Sequence, residues 1–164
     1  MSSTGKYSAT FNTSVVIVLS QLGYLEDAVE LFREVELPLP VVEEVGLKKD
    51  SVYFRLKSLI NRGLLKVEKV EKSFVGLGTG ESSVIYLALI KGKVAVLDDK
   101  KARKLARQLE VPVIGTLSIL KGLRKKGVLK ETPSELYTKL IRLKFRVDRK
   151  ILEKVLENDS SESC

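Results

Sequence analysis

Histidine and tryptophan are absent from this 164-residue chain, and cysteine and methionine occur once each. The lack of histidine excludes Ser-His-Asp and Cys-His catalysis and any His-ligated metal site. A lone Cys164 excludes an intrachain disulfide framework and a Cys-based zinc site. Long hydrophobic runs are missing too. The run Val15 to Leu19, like every other, falls far short of the roughly 20 residues that a membrane span needs. The first residues, MSSTGKYSAT, hold no apolar stretch that would serve as a signal peptide. These absences predict a cytoplasmic protein with no membrane partner. Asn and Gln are scarce while charged residues reach 30%, a balance found in proteins of hot environments.

Catalysis, if present, is left to carboxylates, lysine, tyrosine, hydroxyls or a metal held by oxygen. The formal net charge is +8 and unevenly placed. Residues 91–150 hold 18 Lys/Arg against 6 Asp/Glu, whereas the remainder is net acidic. A basic half favours a polyanionic partner, nucleic acid first. The competing explanation is a solvated lysine-rich surface.

Short apolar segments alternate with helical patterns of 10 to 12 residues. Strands are expected at 7–11, 35–37, 64–70, 94–97 and 112–114. Helices are expected at 15–22, 25–32, 40–45, 51–62, 81–90, 100–109, 116–126, 133–142 and 148–157. This alternation predicts an α/β fold with a mostly parallel sheet of four or five strands and helices on both faces. The unbroken apolar run at 94–97 suggests the central strand. One domain is expected over 1–157, with a disordered tail at 158–164.

In such sheets a site forms beyond the carboxyl ends of the strands. Asn12, Asp98, Asp99 and Thr116 stand at those ends, Glu43 and Glu44 follow the prolines, and Glu81 follows the GLGTG loop. If they converge, they offer oxygen ligands to a hard cation such as Mg²⁺ or Mn²⁺. Each has a structural alternative: helix capping for Asn12, Asp98 and Asp99, a helix-dipole contact for Glu81, and ordinary surface charge for Glu43 and Glu44. GLGTG is not a phosphate-binding P-loop, because no Lys-Ser/Thr pair follows it. The basic residues Lys100, Lys101, Arg103, Lys104 and Arg107, with Lys121, Arg124 and Lys125, are the candidate phosphate contacts.

FNTSVVIVLSQLGYLEDAVELF at 11–32, PLPVVEEV at 38–45, GLGTGESSVIYLAL at 76–89, VAVLDDKKARKLA at 94–106 and VIGTLSILKGLRKKGVL at 113–129 occur in the order seen in PIN-domain proteins. The chain resembles that family, most closely its prokaryotic branch with a long C-terminal extension. The resemblance implies a three-layer α/β/α sandwich and a metal-dependent endoribonuclease acting on single-stranded RNA. It further implies Mg or Mn as cofactor, often a toxin role with an antitoxin partner, and a possible homodimer. By position, the second acid falls at Glu44, with Glu43 as the near alternative, the third at Glu81, and the fourth at Asp98 or Asp99. The family's hydroxyl falls at Thr116. Asn12 stands where the family usually has aspartate, so one ligand is neutral.

Two other readings remain open. A PIN-like domain without catalysis would only bind RNA or a protein. A winged-helix DNA-binding protein is suggested by LKSLINRGLLK at 56–66 and LKGLRKKGVLK at 120–130, with a recognition helix and wing over 51–72. A glycine C-cap used twice explains the same pattern more simply.

Overall fold

The computed structural model describes residues 5–162, with side chains through 157. The chain forms two compact units, 1–116 and 117–164. The first contains β1 (Ser8–Phe11), α1 (Thr13–Leu22), α2 (Leu25–Val29), β2 (Glu34–Pro38), α3 (Leu39–Gly46), α4 (Ser51–Asn61), β3 (Lys66–Glu68), α5 (Thr79–Lys91), β4 (Val94–Val96), α6 (Lys100–Gln108) and β5 (Val113–Ile114). Its five strands are all parallel, in the order β3-β2-β1-β4-β5. The chain winds outward from β1 through β2 to β3, then returns to β4 and continues to β5. Right-handed crossovers therefore put α1 to α4 on one face and α5 and α6 on the other. The result is an α/β/α sandwich.

The expectation that 94–97 is central needs correcting. β1 is central, and β4 lies between it and edge strand β5. All four residues of β1 are buried, but Ser8 and Thr10 disguise it in sequence as a half-exposed strand. The helix expected to reach Phe32 stops at Val29. The Arg33 N–H already donates to the Tyr7 carbonyl (2.9 Å), so the chain must straighten into β2 by then. Phe32 instead packs edge-on against Phe11, with ring centroids 5.7 Å apart.

α1 contains four consecutive β-branched residues, Val15 to Val18, a run that favours strand locally. Burial overrides that preference, since Val15, Val16, Val18 and Leu19 are all core residues. Gly23, at φ 87°, ends the helix in the left-handed conformation, and the Tyr24 N–H returns to the Leu19 carbonyl. Gly63 and Gly127 terminate their helices with similar positive φ. β3 pairs in parallel with β2. A wing is an antiparallel hairpin, so the winged-helix reading of 51–72 is overturned.

The second unit contains most of α7 (Thr116–Lys125), then α8 (Pro133–Arg142) and α9 (Arg149–Glu162). Thr132 and Glu135 cap α8 reciprocally. α8 and α9 pack on each other, with Leu136, Leu140, Leu152 and Leu156 buried. A disordered tail is expected from 158. α9 continues to Glu162, and 163–164 lie outside the described residues. Among the described residues no helix is long and apolar enough to cross a membrane.

At the amino ends of the strands lies an ion-pair network that the sequence did not reveal. Lys93, only 4% exposed, sits between Glu34 (3.1 Å) and Glu36 (3.0 Å). Lys91, at the end of α5, bridges Glu36 and Glu68, and Lys66 pairs with Glu34. Three acids meet three bases, so the buried charges are compensated.

Removing Lys93 would leave Glu36 buried beside too little positive charge. Lys93→Ala is expected to cost about 3–5 kcal/mol in urea unfolding, the usual range for breaking a buried pair. Hydrogen bonds from Lys66 and Lys93 lower the Glu34 carboxyl to about 2. Its stabilising contribution is therefore complete above the unfolded value of 4.5 and disappears as pH falls towards 2. Glu34→Gln should flatten that part of the pH–stability curve.

Candidate metal and nucleic-acid site

The switch in winding direction falls between β1 and β4, the position where doubly wound sheets open a crevice at their carboxyl ends. The Asn12 N–H donates to the Val96 carbonyl (3.1 Å), so the two strand ends stand side by side. Asn12 occupies the N-cap position of α1, yet its side chain makes no capping bond. It is 6% exposed, and its Oδ1 is buried without a hydrogen-bond donor. A buried carbonyl oxygen left unpaired costs about 1–3 kcal/mol, so this position calls for a donor or a cation.

Three carboxylates from separate elements lie close enough to repel one another, and one of them is held by Thr13, the residue after Asn12. Glu44, on α3, accepts a hydrogen bond from the Thr13 hydroxyl and lies against Gly80. A Cβ at Gly80 would stand 2.9 Å from Glu44 Oε2, so only glycine leaves room for the carboxylate there. Glu81 is in the first turn of α5, and the Gly78 N–H donates to its Oε1 over a long 3.4 Å. Burial pushes the Glu81 carboxyl up from its ordinary value. The Gly78 N–H opposes this, and the negative charges of Asp99 and Glu44 add to the rise. Asp99 caps α6 by accepting from the Ala102 N–H through Oδ2 (2.9 Å).

Asp98 has a different role. Its Oδ1 accepts from the Thr116 N–H (2.8 Å) and its Oδ2 from the Thr116 hydroxyl (2.6 Å). It ties the end of β4 to the start of α7. Arg103 also turns inward, donating to the Leu97 carbonyl at 2.9 Å. A Cβ on Gly115 would meet the guanidinium at 2.6 Å and Asp98 Oδ1 at 2.8 Å, so Gly115 makes room for both. Glu43 is exposed, as an ordinary surface acid would be.

Several sequence expectations change here. Asp99 is a helix cap as well as a site acid, while Asp98 braces the strand end. Among the described residues, no group of three or more acidic side chains is gathered so as to hold a metal ion by itself. Glu44, Glu81 and Asp99 are therefore a loose group of mutually repelling charges rather than a closed cage. Arg103 is not one of the outward phosphate contacts. Nor is Arg124 free for one, because it donates to the carbonyls of Leu129 (3.2 Å) and Glu131 (2.6 Å). Lys100, Lys101, Lys104, Arg107 and Lys125 are exposed, and Lys121 is half-buried. Lys101 reaches over Gly76 in the loop before α5. Sequence reasoning missed Thr13, Gly80 and Gly115, whose roles depend on what faces them across the fold.

A family model described as PIN domain matches residues 8–161. No curated protein gives a significant match. Among solved structures, a PilT N-terminus domain protein from the hyperthermophilic archaeon Sulfolobus solfataricus P2 aligns with 76% of this chain and 95% of its own, at 19% identity and a TM-score of 0.49.

The Gly80 contact yields a prediction. Alanine normally improves a helix over glycine by about 1 kcal/mol. Gly80→Ala should therefore leave the thermal midpoint unchanged or raised, because the displaced Glu44 end is exposed and can swing away. Mn²⁺ affinity, measured by calorimetry, should nonetheless fall.

Proposed function

Because the chain belongs to the PIN-domain family, whose members are nuclease-type domains that generally use divalent metal ions, we propose that it is a Mg²⁺- or Mn²⁺-dependent endoribonuclease acting on single-stranded RNA, with activity weakened by Asn12. The observation that carries this reading is the unpaired, buried Asn12 Oδ1, next in the chain to Thr13, which holds Glu44 of the mutually repelling acids Glu44, Glu81 and Asp99.

The donor set fits a hydrated ion. Mg²⁺ usually keeps several waters and binds through one or two carboxylates rather than an all-protein cage. Glu81 and Asp99 would hold it, with Asn12 adding a neutral oxygen. When bound, such an ion supplies a water of lowered pKa and stabilises charge on phosphate. Glu44, oriented by Thr13, is the remaining acid able to take a proton from water. Asp98 and Thr116 fix the strand ends on which the others depend. The exposed Lys100, Lys104 and Arg107 offer positive charge to phosphates without reading bases.

The raised Glu81 carboxyl gives the site a pH signature. Ionising it costs more in the folded than in the unfolded protein. Stability is thus lost as pH climbs from the ordinary carboxylate value of 4.5 through the raised one. A bound cation favours the ionised form, so added Mn²⁺ should raise the thermal midpoint at neutral pH and much less near pH 4.

Asn12→Asp should strengthen Mn²⁺ binding by about 1–3 kcal/mol, the gain of a charge-assisted contact over a neutral one. The variant should melt lower without metal and cleave single-stranded RNA faster with it. Equal Mn²⁺ affinity in the two proteins would remove Asn12 from the metal position. RNA affinity should fall steeply with salt, and Lys104→Ala with Arg107→Ala should flatten that slope. An unchanged slope would mean that α6 is only a solvated surface.

A further inference from the structure

The outer surface of α4 carries an exposed aromatic ring among lysines, and neither the fold nor the strand-end acids account for it. Phe54 is 62% exposed. Its ring meets Tyr53 edge-on, with centroids 5.5 Å apart at 61°, and so it is held in place. α4 contains no acidic residue. Two of its local cations are used structurally: Arg55 donates to the Ser20 carbonyl (2.9 Å) and Arg62 pairs with Glu26 (2.8 Å). Lys48, Lys49 and Lys57 are exposed and, among the described residues, belong to no ion pair.

This surface begins close to the candidate site. Glu44 and Gly46 share α3, and a Cβ at Gly46 would come 3.1 Å from the Tyr53 ring. The aromatic pair therefore rests on the same short helix that presents Glu44 to Thr13. A strand leaving the acids past the end of α3 would meet an exposed ring face and three unpaired ammonium groups.

We propose that Phe54, supported by Tyr53, is a stacking platform for a base of single-stranded RNA, with Lys48, Lys49 and Lys57 holding the flanking phosphates. The choice of single-stranded RNA follows from the surface itself. Two exposed apolar side chains, Phe54 and Leu47, with exposed Lys48, Lys49 and Lys57 near them in the chain, do not make the apolar core of a protein interface. They do match the combination of a stacking ring and a cationic track that binds single strands without sequence preference. Bases paired in a duplex have no free face to stack. The choice of RNA rests on the proposed function, whereas the platform does not depend on metal or cleavage.

The absence of tryptophan makes the test direct. Phe54→Trp gives a protein with a single indole at the platform. Tyr7→Trp places one on an exposed residue just before β1, at the opposite end of the sheet from the acids. A short fluorescein-labelled single-stranded RNA is titrated in EDTA, which prevents metal-dependent cleavage. Phe54→Ala should weaken binding roughly tenfold, within the range for loss of one stacked base. RNA should quench the indole of Phe54→Trp and leave that of Tyr7→Trp unchanged.

If Phe54→Ala binds like the wild type and the Phe54→Trp emission does not respond, the platform is refuted and the ribonuclease reading is untouched. If quenching occurs but Mn²⁺ yields no cleavage, the platform holds and the ribonuclease reading fails. No RNA binding by the wild type would overturn both. Quenching by an acidic amphipathic peptide, and not by RNA, would overturn the platform in favour of a protein-docking surface.

Discussion

The hydrogen bond from the Asn12 N–H to the Val96 carbonyl continues the pairing of β1 with β4 one step beyond the strands. It brings together two chain segments more than 80 residues apart at the point where the winding of the sheet reverses. Asn12 on one strand end and Asp98 and Asp99 on the other become neighbours through that pairing. Glu81 joins them because α5 starts above the same edge on its way down to β4. Glu44 joins them because Gly80 leaves space for its carboxylate. Slipping the β1–β4 register by one residue would turn Asn12 to the other face and dissolve the group.

α5 links two electrostatic regimes. Its first turn carries Glu81 among acids that repel one another. Its last residue, Lys91, enters a network in which three acids and three bases compensate. The compensated end stabilises the sheet, and the uncompensated end is held together by the packing of α5. Its burial is nearly continuous from Gly80 to Ala88, and the hydroxyls of Ser82 and Ser83 accept from the N–H groups of Phe74 and Lys72 on the segment crossing it. Repulsion sustained in this way is the physical reason to expect a cation.

The fold was largely legible in the sequence. Alternating short strands and helices, punctuated by Gly23, Gly63 and Gly127, located nearly every element. The failures came where tertiary context outweighed local pattern. Ser8 and Thr10 hid the central strand, and the pairing of Arg33 with Tyr7 cut α2 short. At the site, residue type and strand-end position drew attention to Asn12, Glu43, Glu44, Glu81 and Asp98/Asp99. They did not divide the labour between Asp98, which braces Thr116, and Asp99, which remains coupled to Glu81. That division depends on which N–H groups face each carboxylate. Arg103 and Arg124 looked like surface cations, but both turn towards backbone carbonyls, which only the folded chain can reveal.

The central claim is that a hydrated divalent cation sits between Asn12, Glu81 and Asp99. Anomalous diffraction from crystals grown or soaked with Mn²⁺ tests it most directly. The account predicts one strong peak beside Asn12 Oδ1, within coordination distance of at least one of the two carboxylates and otherwise ringed by water. A saturating soak with no peak there, or with the ion held only at the Glu34–Glu36–Glu68 network, would contradict it.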